Sequence, residues 1–403
     1  MGKMGAVQLL YDYSGLAGLA TIAFLTIYTL WSCVYNYYFH PLAKYPGPFL
    51  AKISPVYSIY GLFRGRWPFD VHQLHLRYGP VVRTMPSELA FTDPAAWKDI
   101  YGHRQGHPQF HKDPIHVGSV QDLPGATTLT MADDANHARQ RRTLSHAFSQ
   151  KALLEQESII RGYVDLFVQK LTPLARSGAA VNMCDWFNFT TFDIIGDMAF
   201  GEPFGCLKDG VFHSWVSLIT DTIKAGAYEQ ATRRMFRTGS FWQRTLVKLI
   251  PSDLREKRVR HLQLSQEKCL QRIDEGLRRE HRDFLYYILR QNEKGTVSQN
   301  EIILNSALFI VAGSETTASL LSGLLMHLLR TPAAHARLTR EHLSYLELRL
   351  ILANLLWHFD VERVPTAPGE VDLWDVGGDL RHVKAFNTWN KPPLLCRLRP
   401  VAR

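Results

Sequence analysis

What is scarce in these 403 residues limits the possibilities first. Five cysteines, Cys33, Cys184, Cys206, Cys269 and Cys396, are scattered without a close pair. That excludes a disulfide framework and a Cys-x-x-Cys zinc or redox site, and it fits a reducing compartment. No zinc-finger, helix-turn-helix or RNA-recognition pattern occurs, so nucleic acid is not an expected partner. Glycine (27) and proline (20) are too few for a collagen-like or low-complexity chain. Asp, Glu, Lys and Arg are missing altogether between Tyr13 and Ala43. Over the whole chain, usage is ordinary globular, 46% hydrophobic and 21% charged, and its length suits two to three average domains or one large core.

The uncharged run holds Leu16, Leu19, Ile22, Phe24, Leu25, Ile27, Leu30, Trp31 and Val34. About 20 such residues in a helix cross a bilayer core, and a cleaved signal would have a shorter apolar region. Tyr28, Trp31, Tyr35, Tyr37 and Tyr38 form an aromatic belt at its end, and Lys44, Lys52, Arg64 and Arg66 follow. These features predict a single-pass anchor over 1–43 and a body over 44–403 on the cytosolic side. The acceptor pattern Asn188, Phe189, Thr190 would carry a glycan only if it were lumenal.

Net charge is +9, and residues 231–282, with 14 Lys or Arg against 6 Asp or Glu, hold +8 of it. This segment reads as a solvated helix face or, because Met235, Phe236, Phe241, Trp242, Leu246 and Leu249 lie among the charges, as a surface for anionic lipid.

Tyr45, Pro46, Gly47 and Pro48 predict a stiff hinge where the body begins. Residues 81–93 predict two short strands around Pro86. Apolar spacing predicts helices over about 135–148, 151–173, 186–200, 211–227, 241–249, 254–279 and 283–292. The longest helix should begin at Ser298, whose Ser-x-x-Glu relation to Glu301 is a capping box, and run about 33 residues, near 50 Å, to Arg330 before Pro332. Only Glu301, Glu315 and Arg330 are formally charged along it, so it must be buried in a large core or in a second crossing. A carboxylate at mid-helix argues against lipid.

That carboxylate belongs to Ala312, Gly313, Ser314, Glu315, Thr316 and Thr317. A mid-helix glycine and a buried acid each cost stability unless something rewards them. Gly313 leaves room for a flat ligand, and Glu315 beside Thr316 offers an acid and a hydroxyl for proton relay. A polar kink whose threonines bond back to the preceding turn is the other reading.

Beside YPGP, YGPVVRTMPSELAFTD, HARQRRTLSHAFS, FDIIGDMAFGEPFGCL and DFLYYILR, the run AGSETT completes an ordered series. The series resembles the membrane-bound fungal cytochrome P450 family, the haem-thiolate monooxygenases. The resemblance implies a mainly α fold with small β-sheets (α+β) behind the transmembrane helix, and a haem cofactor. His137 and Arg141 would face the haem propionates, Ala312 and Gly313 the distal haem face, and Glu315 and Thr316 would deliver protons. It further implies an NADPH-dependent reductase as partner, the endoplasmic reticulum membrane as location, and oxidation of an apolar small molecule, as in fungal secondary metabolism.

The family's cysteine loop, Phe-x-x-Gly-x-Arg-x-Cys-x-Gly, is not in the sequence, and none of the five cysteines has a glycine two residues on. The Glu-x-x-Arg buttress is also missing from its place, since Glu275 and Arg278 precede the long helix. Residues 343–362 resemble the helix that follows the cysteine loop, yet they come directly after 331–341, which resemble the helix after the long one. The expected fold is therefore incomplete, with an internal deletion near 338–343 and Leu338 in the register of the cysteine. No residue is assigned as a metal ligand. Two readings stand: a monooxygenase by descent, and a catalytically inactive remnant or wrongly assembled reading frame.

Overall fold

In the computed structural model the described residues are 2–102, 106–107, 110–279, 281–292, 295–334, 346–374, 382–386 and 388–401. Leu338 and the proposed junction near 338–343 lie outside them. The chain opens with α1 (Gly2–Val34). Its Leu16, Leu19, Ile22, Phe24, Leu25, Ile27 and Leu30 are all more than half exposed. The hydroxyls of Thr21, Thr26 and Thr29 donate to the carbonyls one turn back (2.7–2.8 Å), so they present no unmet donor to an apolar surrounding. Leu16–Phe39 is long and apolar enough to cross a membrane.

The chain divides into two compact units, Met1–Lys112 with Ala231–Arg237, and Asp113–Gln230 with Thr238–Arg403. In the first, α2 (Phe49–Ile53), α3 (Val56–Phe63) and α4 (Trp67–Tyr78) precede an antiparallel hairpin, β1 (Val81–Met85) and β2 (Glu88–Phe91), and α5 (Pro94–Tyr101) follows. The proline-rich hinge is pinned to this hairpin. Arg83 N donates to Pro46 O (2.7 Å), and a side chain at Gly47 would collide with the Arg83 carbonyl, its Cβ falling 2.3 Å away. The fully buried Arg83 guanidinium donates to the carbonyls of Pro86 and Asn36, which compensates its burial.

The second unit contains α6 (Asp134–Leu144), α7 (Gln150–Ser177), β3 (Ala180–Asn182), α8 (Met183–Phe200), α9 (Cys206–Asp209), most of α10 (Ser214–Met235), α11 (Phe241–Val247), α12 (Ser252–Glu275), α13 (Phe284–Gln291), α14 (Gln299–Arg330) and α15 (Leu346–His358). Four short strands close it: β4 (Phe359–Arg363), β5 (Lys384–Ala385), β6 (Trp389–Asn390) and β7 (Leu395–Pro400). β7 is the centre of an antiparallel sheet in the order β3-β7-β4, and β5 pairs with β6. Helices α7, α8, α14 and α15 pack into a bundle around Phe167, Leu171, Phe187, Phe192, Leu321 and Leu355. α8 is buried almost all round because its sequence is apolar all round.

Two expected helix ends move. α7 passes through Pro173 to Ser177, since burial of Leu171 and Ala175 on either side holds the last turn. α10 continues to Met235 rather than ending near 227. The basic segment is only partly a solvated face. Lys257 pairs with Asp221 (2.6 Å), Arg258 with Glu229 (2.7 Å) and Arg272 with Asp283 (2.6 Å), the last pair wholly buried. Phe241, Trp242 and Leu249 stay exposed.

Candidate functional site

The site is organised by α14. Ser298 Oγ accepts from Glu301 N (3.3 Å) and Glu301 Oε2 accepts from Ser298 N (2.8 Å), the capping box expected from sequence. The Glu301 carboxylate also accepts from Arg139 Nη2 (2.5 Å) and Gln140 Nε2 (3.1 Å) of α6. Asn305, one turn further, donates to Gln140 Oε1 (2.9 Å) and accepts from Leu129 N (2.8 Å). Hydrogen bonds from Arg139 hold the Glu301 carboxyl below its ordinary value. This buried network bolts α6 to the first turns of α14. It turns Arg139 and Gln140 inward and leaves His137 half-buried and Arg141 exposed, one turn apart on α6. Arg139 is thus a clamp between α6 and α14.

An apolar cavity of about 340 Å³ lies against the middle of α14, with Phe148, Ile195, Phe284, Phe309, Gly313 and Ile351 among its walls. Ala312 lines it as well, and Thr191 is the one polar side chain among its described lining residues. Phe148 ends the 3₁₀ turn that continues α6, so the clamped helix leads directly into the cavity wall. At Gly313 the space left by the missing side chain serves close helix packing: a Cβ there would lie 2.5 Å from Ile195 Cδ1 of α8. Ala312, Thr316 and Leu320, each one turn apart, form an exposed stripe on α14.

Glu315 and Thr316 leave the helix in different directions. Glu315 is buried and ion-paired with Lys391 Nζ; Ser319 Oγ donates to its Oε1 (3.3 Å), and Lys391 Nζ donates to Ser319 Oγ (3.0 Å). Thr316 is exposed, and its hydroxyl donates to Ala312 O (2.5 Å), the back-bonded arrangement of a polar turn. The two residues are adjacent in sequence, but their hydrogen bonds run to different partners. Lys391, Ser319, Gln140 and Asn305 were not singled out from the sequence. Lys391 stands before Pro392 and Pro393, far along the chain from the helix it neutralises, and carries no local signal.

The cysteines do not meet this site. None is among the residues lining the cavity. Cys184, Cys206, Cys269 and Cys396 are buried elsewhere in the second unit, and Cys33 is half-buried in α1. A haem-thiolate centre requires a cysteine sulfur facing the porphyrin, so the donor set present does not fit that group at its axial position.

A family model described as Cytochrome P450 matches residues 53–346. The cytochrome P450 monooxygenase aba2 of Botryotinia fuckeliana (strain B05.10) is 32% identical over 515 aligned positions, covering 98% of each chain. Against the 403 residues here, at least 112 of those positions stand opposite no residue of this chain. The cytochrome P450 monooxygenase ABA2 of Pyricularia oryzae is 42% identical over 306 residues, 75% of this chain and 58% of the relative. The cytochrome P450 monooxygenase astJ of Aspergillus oryzae is 43% identical over 314 residues, 77% and 61%. With a matching family model over most of its length and a relative spanned almost end to end, the chain belongs to the cytochrome P450 family.

Proposed function

We propose that these residues form the oxygen-side half of a fungal-type monooxygenase that oxidises a lipophilic small molecule of secondary metabolism. The observation that carries this reading is the apolar cavity against Ala312 and Gly313 on the AGSETT helix, within the family match. An apolar wall with one polar side chain suits a ligand with little charge. In this assignment His137, Arg141, Ala312 and Gly313 are the cofactor-side residues, and Glu315 and Thr316 the proton-handling pair. Electrons would come from NADPH through a reductase. The exposed apolar α1 supports an anchor in the endoplasmic reticulum membrane with the body in the cytosol.

Because the chain has no cysteine at the cavity, the oxygenase activity belongs to a product that carries further residues between 334 and 346. The excess of aligned positions in aba2 supports an internal loss of that kind. Sequencing transcripts across codons 335–345 tests the assignment. A longer open frame that includes a cysteine loop is the expected result. A transcript that reads straight through, from a locus with no such exon, would instead favour the inactive remnant.

A further inference from the structure

We infer that the 403-residue chain forms no thiolate bond to haem iron, because each of its body cysteines is sealed into the scaffold away from the cavity. This rests on the family reading and concerns this chain alone. Cys184, in the first turn of α8, points its sulfur at the Pro392 carbonyl (3.4 Å). Cys206 Sγ accepts from His213 N (3.3 Å), while its own backbone N donates to the buried Asp193. Cys269 on α12 meets Ser306 Oγ of α14 at 3.7 Å. Cys396 is the second residue of the central strand β7, registered with Val181 on one side and Arg363 on the other. Freeing any of these sulfurs would mean unpicking a helix start, a helix–helix contact or the middle of a sheet.

Their protonation agrees with the geometry. Burial pushes the Cys206 thiol up to about 11 and those of Cys269 and Cys396 up to about 12, and it raises Cys184 as well. At neutral pH they are thiols, and only the thiolate is a strong iron donor. Cys33 lies in the apolar stretch Leu16–Phe39 and lines no part of the cavity. The cavity itself offers the thioether of Met198 and the hydroxyl of Thr191, whose Oγ donates to Asn188 O (3.3 Å). Neither is a thiolate.

The test uses the purified full chain in detergent, titrated with haem and, separately, with metal-free protoporphyrin IX. We expect the reduced carbon-monoxide difference spectrum to lack the red-shifted thiolate band. Haem held through an imidazole instead would give no such band and agrees with the inference. Failure of both to bind agrees with the inference too. A red-shifted band that disappears when one of the five cysteines is replaced by serine, and survives replacement of the others, would overturn it. The same assay on a chain carrying the corresponding segment of aba2 between 334 and 346 keeps the two readings apart. Absence of the band there would count against the proposed function and leave this inference standing.

Discussion

Lys391 and Glu315 form an ion pair inside the protein, with side chains only 6% and 11% exposed, and the lysine comes from the chain just before the central strand. The one acidic residue in the middle of α14 is therefore held by charge compensation. Removing a single partner leaves the other charge buried and unpaired, at a cost of about 3–5 kcal/mol. Lys391→Met should lose that much stability in urea unfolding, and adding Glu315→Leu should recover most of it. Equal instability of the single and double variants would mean that the pair is not what Lys391 contributes.

Gly313 answers to Ile195. Gly313→Ala places a Cβ 2.5 Å from Ile195 Cδ1, an overpacking worth about 1–3 kcal/mol, offset by up to about 1 kcal/mol of helix propensity. In the background of Ile195→Ala, which empties that space, the same change should be neutral or stabilising. A double-mutant cycle in denaturant that showed simple additivity would remove Ile195 as the obstacle.

His281 supplies a pH dependence. Its Nε2 lies 2.6 Å from Asp197 Oδ1, whose carboxylate also accepts from Tyr163 OH (2.7 Å). The hydrogen bond to Asp197 raises the imidazole above its ordinary value of 6.5, against the opposing effect of burial. A raised histidine stabilises fully below its unfolded value and loses that contribution as pH climbs through the folded value. The stability gap between the wild type and His281→Gln should therefore be largest below 6.5 and shrink as pH rises above it. Urea midpoints across that range measure it; a gap that widened with pH would reverse the assignment.

Orientation in the membrane is testable from the body of the protein. Asn188, Phe189 and Thr190 lie inside α8, with Thr190 fully buried and the Asn188 side-chain oxygen out of solvent. An epitope at the C-terminus should be digested by protease added to sealed microsomes, as expected of a cytosolic body. Protection until detergent is added would place the body in the lumen.

What the sequence determined by itself is local. The capping box at Ser298 and Glu301, the length of α14, the hairpin near Pro86 and the apolar N-terminal helix were all legible, because each is written within a few consecutive residues as a cap, a period or a run. The family was legible too, from ordered local motifs. Tertiary structure alone decided that Glu315 meets Lys391, that Arg139 clamps Glu301, and that Gly313 makes room for Ile195. It also decided that four cysteines are buried away from the cavity. These relations join segments far apart in the chain. They depend on which faces α6, α8, α14 and the stretch before β7 turn toward one another when the core closes, and neither residue of such a pair carries a mark of its partner.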